Sequence, residues 1–161
     1  MGRAAESVPS NRGLGIKAKK CVYEGVIAPA PLNGAEAWGL RRAERIKVNV
    51  LEMKCLRSLV GVGRMDRVRN EEVCMRAGIE TELSSRADQR VLRWFGRVER
   101  MDEHHVPIRV LMAEVSGGRV RGRPRLGWME GVKVALGNRG MTVKAARQWK
   151  DWKAWRALVH M

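Results

Sequence analysis

The sequence predicts an all-α fold, an irregular bundle of about six helices. Several segments repeat apolar residues at steps of three and four, which places those residues on one face of a helix. No segment alternates apolar and polar residues as a half-buried strand does, and no Asn-Gly pair lies between two such segments as in a hairpin. Glycine and proline clusters separate the helical segments and set their ends.

The N-terminal residues 1–13 are small and polar, with Gly, Pro and Ser, and we expect a disordered leader there. A helix is predicted over 14–27. We expect the segment 28–34 to break it, because Pro29 and Pro31 disfavour helix at their own positions and at the residues before them.

The clearest helical pattern covers 43–60, and the glycines of 61–63 mark its end. A third helix is predicted over 66–77, with Asp66 as its N-cap and Gly78 as its C-terminal stop. In the 43–60 helix, apolar residues share one side and charged residues fill much of the other. The apolar set is Val48, Leu51, Cys55, Leu56, Leu59 and Val60, and the charged set is Arg45, Lys47, Glu52, Lys54 and Arg57.

The fourth helix, over 83–101, has an apolar face and an arginine stripe. The arginines recur at steps of four and three, so they form a continuous row along the helix. The apolar face consists of Leu83, Ala87, Val91, Trp94, Phe95, Val98 and Met101, and the stripe of Arg86, Arg90, Arg93, Arg97 and Arg100.

The C-terminal part contains shorter elements. Pro107 opens a helix that reaches about residue 115. A helix over 128–136 ends at the glycines of 137–140, and Thr142 caps a final helix that runs to residue 160. The predicted organisation is a leader over 1–13, a helical region over 14–115, a basic Gly/Arg/Pro loop over 116–127 and a helical tail over 128–161.

Net charge is the strongest functional signal. The chain has 32 Lys and Arg against 17 Asp and Glu, a net charge of +15. Residues 116–161 hold 11 basic and 2 acidic side chains, whereas residues 36–115 hold 16 and 13. A concentrated excess favours nucleic acid as the partner, with an acidic membrane surface second. A soluble chain of high isoelectric point with scattered cations is the plainer alternative.

The loop over 116–127 carries the first candidate binding residues. Its glycines let the backbone lie close to a surface, and Pro124 biases Arg123 toward an extended conformation, from which arginines reach phosphates or a minor groove. The core 121–124, Arg-Gly-Arg-Pro, is similar to the centre of an AT-hook. A solvated basic linker is the alternative. The candidates are Arg119, Arg121, Arg123 and Arg125.

The arginine stripe supplies the second set of candidates. One interpretation is that the stripe follows a phosphate backbone. The alternative is a solvated helix face whose charge Asp88 and Glu99 partly neutralise. The candidates in this set are Arg90, Arg93, Arg97 and Arg100.

Two further clusters have plainer interpretations. Trp149, Trp152 and Trp155 recur at three-residue steps, which suits base stacking but is more typical of a packed core or a docking face. His104 and His105 follow two acidic residues, but adjacent residues cannot converge on one metal ion, and we expect a solvated turn.

The three cysteines, Cys21, Cys55 and Cys74, are widely separated and odd in number, which fits neither a disulfide framework nor a zinc site. Cys55 and Cys74 lie among apolar residues and are expected to be buried thiols. The sequence has no signal-peptide pattern and no apolar run of about 18 residues, so we expect an intracellular protein, nuclear or cytoplasmic.

Motifs for catalysis are absent from the sequence. It contains no nucleophile elbow, phosphate-binding loop, zinc-protease motif or paired cysteine motif, and no Asp-Asp pair on a strand to hold two metal ions. We therefore expect no enzyme activity in the chain itself. No cofactor, metal, small-molecule substrate or membrane is predicted as a partner, and the oligomeric state is left open.

Six segments together resemble the thumb-side region of LINE-type, or non-LTR, retrotransposon reverse transcriptases. They occur in the order that the family has, and they span roughly residues 12–160. Asn33 and Arg97 depart from the family, which commonly has Tyr and His there. The segments are 36–38 (EAW), 51–62 (LEMKCLRSLVGV), 66–73 (DRVRNEEV), 90–101 (RVLRWFGRVERM), 122–128 (GRPRLGW) and 155–159 (WRALV).

The resemblance implies the thumb and post-thumb region that follows the polymerase palm. In this family the whole enzyme copies element RNA into DNA, the thumb helps to grip the template–primer duplex, and the tail is thought to help hold nucleic acid. The resemblance therefore implies a fragment that lacks the palm and retains sequence-nonspecific nucleic-acid binding. Two alternatives are a helical protein-interaction module that docks through its Trp-bearing C-terminal helix, and an inert product of a degenerate reading frame.

Overall fold

The computed structural model describes residues 13–40, 42–113, 127–148 and 151–160. The fold is all-α, as predicted, and the described ranges contain no strand. The α-helices are α1 (Ile16–Val22), α2 (Pro29–Leu32), α3 (Arg42–Val60), α4 (Asn70–Ala77), α5 (Leu83–Val98), α6 (Val106–Met112), α7 (Trp128–Gly137), α8 (Val143–Gln148) and α9 (Trp152–His160).

The helix ends that glycines were expected to set are confirmed. Gly61 follows α3 with a φ of 73°, and Gly78 follows α4 with a φ of 67°. Such positive φ values are open to glycine without the steric cost that a Cβ would bring. Glycines therefore mark helix ends here because the backbone reverses hand at those residues.

The predicted break at 28–34 is wrong in its first half. Helix α1 continues as a π-helical turn over Tyr23–Ile27, and Pro29–Leu32 forms the short helix α2. Pro29 is the first residue of α2, where no intrahelical partner exists for the missing N–H. The break comes instead at Asn33, which is extended. The predicted leader lies outside the described residues except for Gly13.

Helix α4 begins later than predicted, and Asp66 is not its N-cap. Residues Arg64–Asp66 form a separate 3₁₀ turn, which the Asp66 carboxylate closes by accepting a 2.8 Å hydrogen bond from the Gly63 N–H. Arg67 then has a φ of 51°, a left-handed conformation that no right-handed helix can include. The helix therefore starts only at Asn70.

The single final helix predicted from Thr142 to residue 160 is also wrong. Thr142 does cap α8, with its hydroxyl 3.3 Å from the Ala145 N–H. Asp151, however, is not helical, and its carboxylate accepts a 2.8 Å hydrogen bond from the Lys153 N–H. Asp151 therefore starts a new helix, α9, whose first turn it caps. The basic loop lies outside the described residues apart from Gly127.

The described chain divides into two compact units. The first comprises the residues up to Ala35 together with Leu40–Ala87, and the second comprises Glu36–Gly39 together with the residues from Asp88 onward. Helix α5 supplies residues to both units. The first core is built around Tyr23, Leu56, Val73, Ile79 and Leu83, and the second around Leu92, Phe95, Val132, Leu136 and Trp155.

The first core contains a buried carboxylate. Glu52 was expected on the charged side of α3, but it is only 4% exposed. Its two oxygens accept hydrogen bonds from the Tyr23 hydroxyl at 2.7 Å and from the Leu83 N–H at 2.8 Å. Glu52 thus satisfies an N–H at the start of α5, where a negative charge also favours the helix dipole.

The cysteines differ in exposure. Cys55 is buried, as predicted, whereas Cys74 is half-buried and Cys21 is exposed. Burial raises the pKa of Cys55, with a further contribution from Glu52. Burial also raises the pKa of the Cys74 thiol, which lies near Glu52, Glu82 and Glu71. None of the described helices has both the length and the apolar character needed to cross a bilayer.

Candidate nucleic-acid interface

Helix α5 positions the arginine stripe by burying its opposite side. Val91, Phe95 and Val98 are buried in the second unit, as the apolar pattern predicted, and Leu92, which the pattern did not include, is buried with them. Residues one helical turn apart lie above one another, so the arginines of the stripe share the side away from this core. The stripe is therefore a consequence of the same periodicity that builds the core.

Arg93 and Arg97 form the exposed centre of the stripe. Both side chains are exposed, and neither forms an ion pair or hydrogen bond with a described residue. Arg86 and Arg90, by contrast, are half-buried, so the predicted row is not uniform along the helix. As far as the described chain shows, these two guanidinium groups, one turn apart, have donors available to an external anion.

Arg100 extends the exposed row beyond the end of α5. Its guanidinium carbon lies 4.4 Å from the centroid of the Trp152 ring, a cation–π contact between the turn after α5 and the start of α9. Trp152 is 44% exposed, so its ring contacts the Arg100 guanidinium and is also accessible to solvent. Partial burial lowers the pKa of Arg100, which stays charged at neutral pH.

The two acidic residues expected to neutralise the stripe are engaged elsewhere. Asp88 is 4% exposed and accepts a 3.2 Å hydrogen bond from the Asn138 side chain. Glu99 accepts a 3.0 Å bond from Arg147, a cation that lies outside the stripe. Within the described ranges, neither carboxylate therefore forms an ion pair with Arg93, Arg97 or Arg100.

Trp155 has a packing role, as the helical spacing of the tryptophans predicted. It is 1% exposed, and its ring centroid lies 6.1 Å from that of Phe95. A Cβ at Gly96 would lie only 2.2 Å from the Trp155 indole nitrogen. The absence of a side chain at Gly96 therefore allows α9 to approach α5. Trp149 lies outside the described residues.

Several other candidates lie elsewhere or outside the described chain. Arg119, Arg121, Arg123 and Arg125 all fall within 114–126, which the structure does not describe. His104 and His105 are exposed in a turn before α6, as expected, and the Asp102 carboxylate accepts a 3.0 Å bond from the His104 N–H. Within the described residues, no three His, Cys, Asp or Glu side chains are grouped to hold a metal ion.

The pairing of Arg100 with Trp152 was not predicted from the sequence. The two residues are far apart along the chain, and the tryptophan spacing grouped Trp152 with Trp155. On α9, which the split from α8 makes a separate helix, Trp155 is buried while Trp152 is 44% exposed. Asp151, with its N-cap residue type, is the local signal for that split.

Comparison with known proteins gives no relative for the chain. No protein-family model matches the sequence, and no curated protein or solved structure is significantly similar to it. The resemblance to LINE-type reverse transcriptases therefore stands on the six quoted segments alone.

Proposed function

We propose that this chain binds nucleic acid, chiefly through contacts between its arginines and phosphate groups. The observation that carries the proposal is the exposed row of Arg93, Arg97 and Arg100, which has no carboxylate partner among the described residues. The loop arginines Arg119, Arg121, Arg123 and Arg125 are proposed to add to it. The net charge of +15 supports the same partner.

The spacing of the row suits a polyanion. Residues four apart on a helix are separated by about 6 Å along its axis, so Arg93 and Arg97 can contact different phosphates of one strand. The exposed face of Trp152 offers a ring on which an unpaired base can stack, with the Arg100 guanidinium beside it. We propose RNA or DNA as the ligand, with little sequence preference, because phosphate contacts do not read bases.

We further propose that the chain corresponds to the thumb and post-thumb region of a LINE-type reverse transcriptase. The support is the order of the six segments and the basic, all-α character of the chain. The sequence has no strand-borne Asp-Asp pair to hold catalytic metal ions. We therefore expect primer extension on an RNA template to give no product with this chain alone.

The test is fluorescence anisotropy with labelled oligonucleotides and the full chain. The double variant Arg93→Gln, Arg97→Gln should weaken binding about tenfold or more at moderate salt, since two phosphate contacts are lost. Arg109→Gln is the matched control, because Arg109 is also exposed but lies on α6, outside the row. Equal affinities for both variants and the unmodified chain would contradict the proposed interface.

A second pair of variants tests the loop and the stacking ring. Arg121→Ala with Arg123→Ala should also weaken binding, whereas a protein-interaction module would keep its partner after this change. Trp152→Ala should reduce affinity for single strands more than for duplex, because only unpaired bases can stack on the ring. A chain that binds no oligonucleotide even at low salt would disprove the proposal as a whole.

A further inference from the structure

A groove in the first unit is bounded by one face of α3 and by the segment that follows it. Its volume is about 580 Å³. The α3 residues that line it include Ile46, Val50 and Met53, which recur at four- and three-residue steps and so share one face of the helix. This face is separate from the one that α3 buries with Leu56 and Leu59. Helix α3 is therefore apolar on two sides, and the described residues cover only one of them.

The floor of the groove is aliphatic and open to solvent. Ile46 is 56% exposed and Val50 is 52% exposed, while Met53 and Val68 are half-buried beside them. An isolated exposed aliphatic residue is ordinary, but contiguous ones in a concave site are typical of a binding surface. The floor offers no aromatic ring among its lining residues.

The rim of the groove is basic. Four cations line it, and no acidic side chain does so among the described residues. Arg57 is held in place, since its Nη2 atom donates to the Val68 carbonyl at 2.7 Å and to the Asn70 side chain at 2.9 Å. The other three cations form no ion pair or hydrogen bond with a described residue; they are Lys54, Arg64 and Arg67.

These features discriminate between occupants. Single-stranded nucleic acid is usually held on aromatic rings, which this lining lacks. A second copy of the chain would bring another net charge of +15 to a basic rim. A helix that carries an apolar row flanked by carboxylates matches both the aliphatic floor and the cationic rim.

We propose that this groove is a docking site for an acidic, amphipathic helical segment of a partner protein. The apolar row of the partner would pack on Ile46 and Val50, and its carboxylates would pair with Lys54, Arg64 and Arg67. The site lies wholly in the first unit and uses none of the residues assigned to nucleic-acid binding. Either proposal can therefore fail without the other.

The probe is a labelled synthetic helix of about 18 residues with a Leu row flanked by Glu. Its binding to the full chain is followed by fluorescence anisotropy at low and moderate salt. Two control peptides share its length: one with the same composition in scrambled order, and one with Gln in place of Glu. We expect the designed peptide to bind at least about tenfold more tightly than either control.

Paired variants then map the site. Ile46→Ser with Val50→Ser should weaken peptide binding about tenfold, while Leu51→Ser, which is 45% exposed on the same helix but outside the groove, should change it less than about twofold. Arg64→Gln with Arg67→Asn should also weaken binding. Asn is chosen because it tolerates the left-handed backbone at position 67. Arg69→Gln is exposed and outside the groove, and serves as the control for charge.

Four results would overturn the proposal. The scrambled peptide could bind equally well, or the groove variants could bind as tightly as their controls. A single-stranded oligonucleotide that displaces the peptide and is weakened by the same variants would assign the groove to nucleic acid. Self-association in sedimentation that the groove variants abolish would assign it to a second copy. If circular dichroism shows that the Ile46→Ser, Val50→Ser variant does not fold, the Arg64→Gln, Arg67→Asn variant still tests the groove.

Discussion

At the scale of single residues, the contact between Tyr23 and Glu52 ties three elements of the first unit together. Tyr23 belongs to the π-helical turn after α1, Glu52 to α3, and the second donor to Glu52 is the first residue of α5. A buried carboxylate is tolerated only when its oxygens are satisfied, as both are here. Removing either donor would therefore leave the buried Glu52 carboxylate with one oxygen that lacks its hydrogen bond.

Tyr23 should make stability depend on alkaline pH. Burial, with the hydrogen bond to Glu52 next, raises its pKa above the ordinary value of 10.0. The folded state then keeps the phenolic proton at a pH where the unfolded chain has lost it. The stabilising contribution is complete below pH 10 and declines above it, by about 1.4 kcal/mol per pH unit.

The measurement compares Tyr23→Phe with the unmodified chain in urea denaturation from pH 8 to about pH 11. At pH 8 we expect the variant to be less stable by about 1–3 kcal/mol, because Glu52 loses a hydrogen bond. The difference should narrow above pH 10, since the variant has no phenol to titrate. Other titrating groups are common to both proteins, so a difference that stays constant with pH would refute the assignment.

At the scale of elements, Gly96 determines how closely α9 packs on α5. In an exposed helix interior, replacing Gly by Ala usually stabilises a protein by about 0.5–1 kcal/mol. At Gly96 the added methyl group would meet the Trp155 indole at 2.2 Å and the Arg100 guanidinium at 2.9 Å. Steric overlap with a buried indole outweighs the gain in propensity.

We therefore expect Gly96→Ala to destabilise the protein by about 1–3 kcal/mol, the usual cost of overpacking a core. Gly137→Ala is the control, because Gly137 ends α7 in the same unit and its added Cβ would have no neighbour within 4 Å. Thermal or urea unfolding of the two variants should give shifts of different size. A neutral Gly96→Ala variant would mean that Trp155 does not pack against α5 in solution.

Sequence periodicity predicted most helices because the local pattern and the final burial agree. The apolar face of the 83–101 helix is the clearest case: Leu83, Ala87, Val91, Phe95 and Val98 are buried, while Trp94 and Met101 are half-buried. Periodicity could not predict that Glu52 is buried, because its partners Tyr23 and Leu83 lie on other elements. It also missed the division between α8 and α9, since tryptophan spacing continued across Asp151 and concealed the capping residue.

At the scale of the whole molecule, the sequence predicted that the candidate interface is basic better than it predicted which arginines form it. Charge counts are independent of conformation, so the excess of cations was evident at once. Which arginines are exposed depends on the packing of α5, and only Arg93, Arg97 and Arg100 of the stripe emerged as exposed. The groove beside α3 had no sequence signal, because its apolar and basic residues interleave with those of the core face.

Long-range contacts of the second unit were equally invisible in the sequence. The segment Glu36–Gly39 belongs to that unit, and the Trp128 indole donates a 2.8 Å hydrogen bond to the Glu36 carbonyl. A Cβ at Gly131 would lie 2.6 Å from Gly39, so the two backbones approach closely. Such contacts join residues that no local spacing relates.

The proposed binding should depend strongly on salt. If about four to six phosphates are neutralised, the logarithm of the association constant for duplex DNA should fall with the logarithm of salt concentration with a slope near −4 to −5. The Arg93→Gln, Arg97→Gln variant should reduce the magnitude of that slope by about 2. Titrations at several salt concentrations measure both values. A slope near zero would be inconsistent with phosphate recognition.

The unequal exposure of the three thiols has a practical consequence for following this chain in solution. A thiol reacts with a maleimide as its thiolate, and burial disfavours that form at Cys55 and Cys74. Cys21 is the exposed thiol of the three. The native sequence therefore offers one selective site for attaching a dye, in the first unit. This site is far along the chain from the C-terminal tryptophans, Trp149, Trp152 and Trp155. Binding of a helix or an oligonucleotide can be followed with this dye, without a new cysteine being introduced.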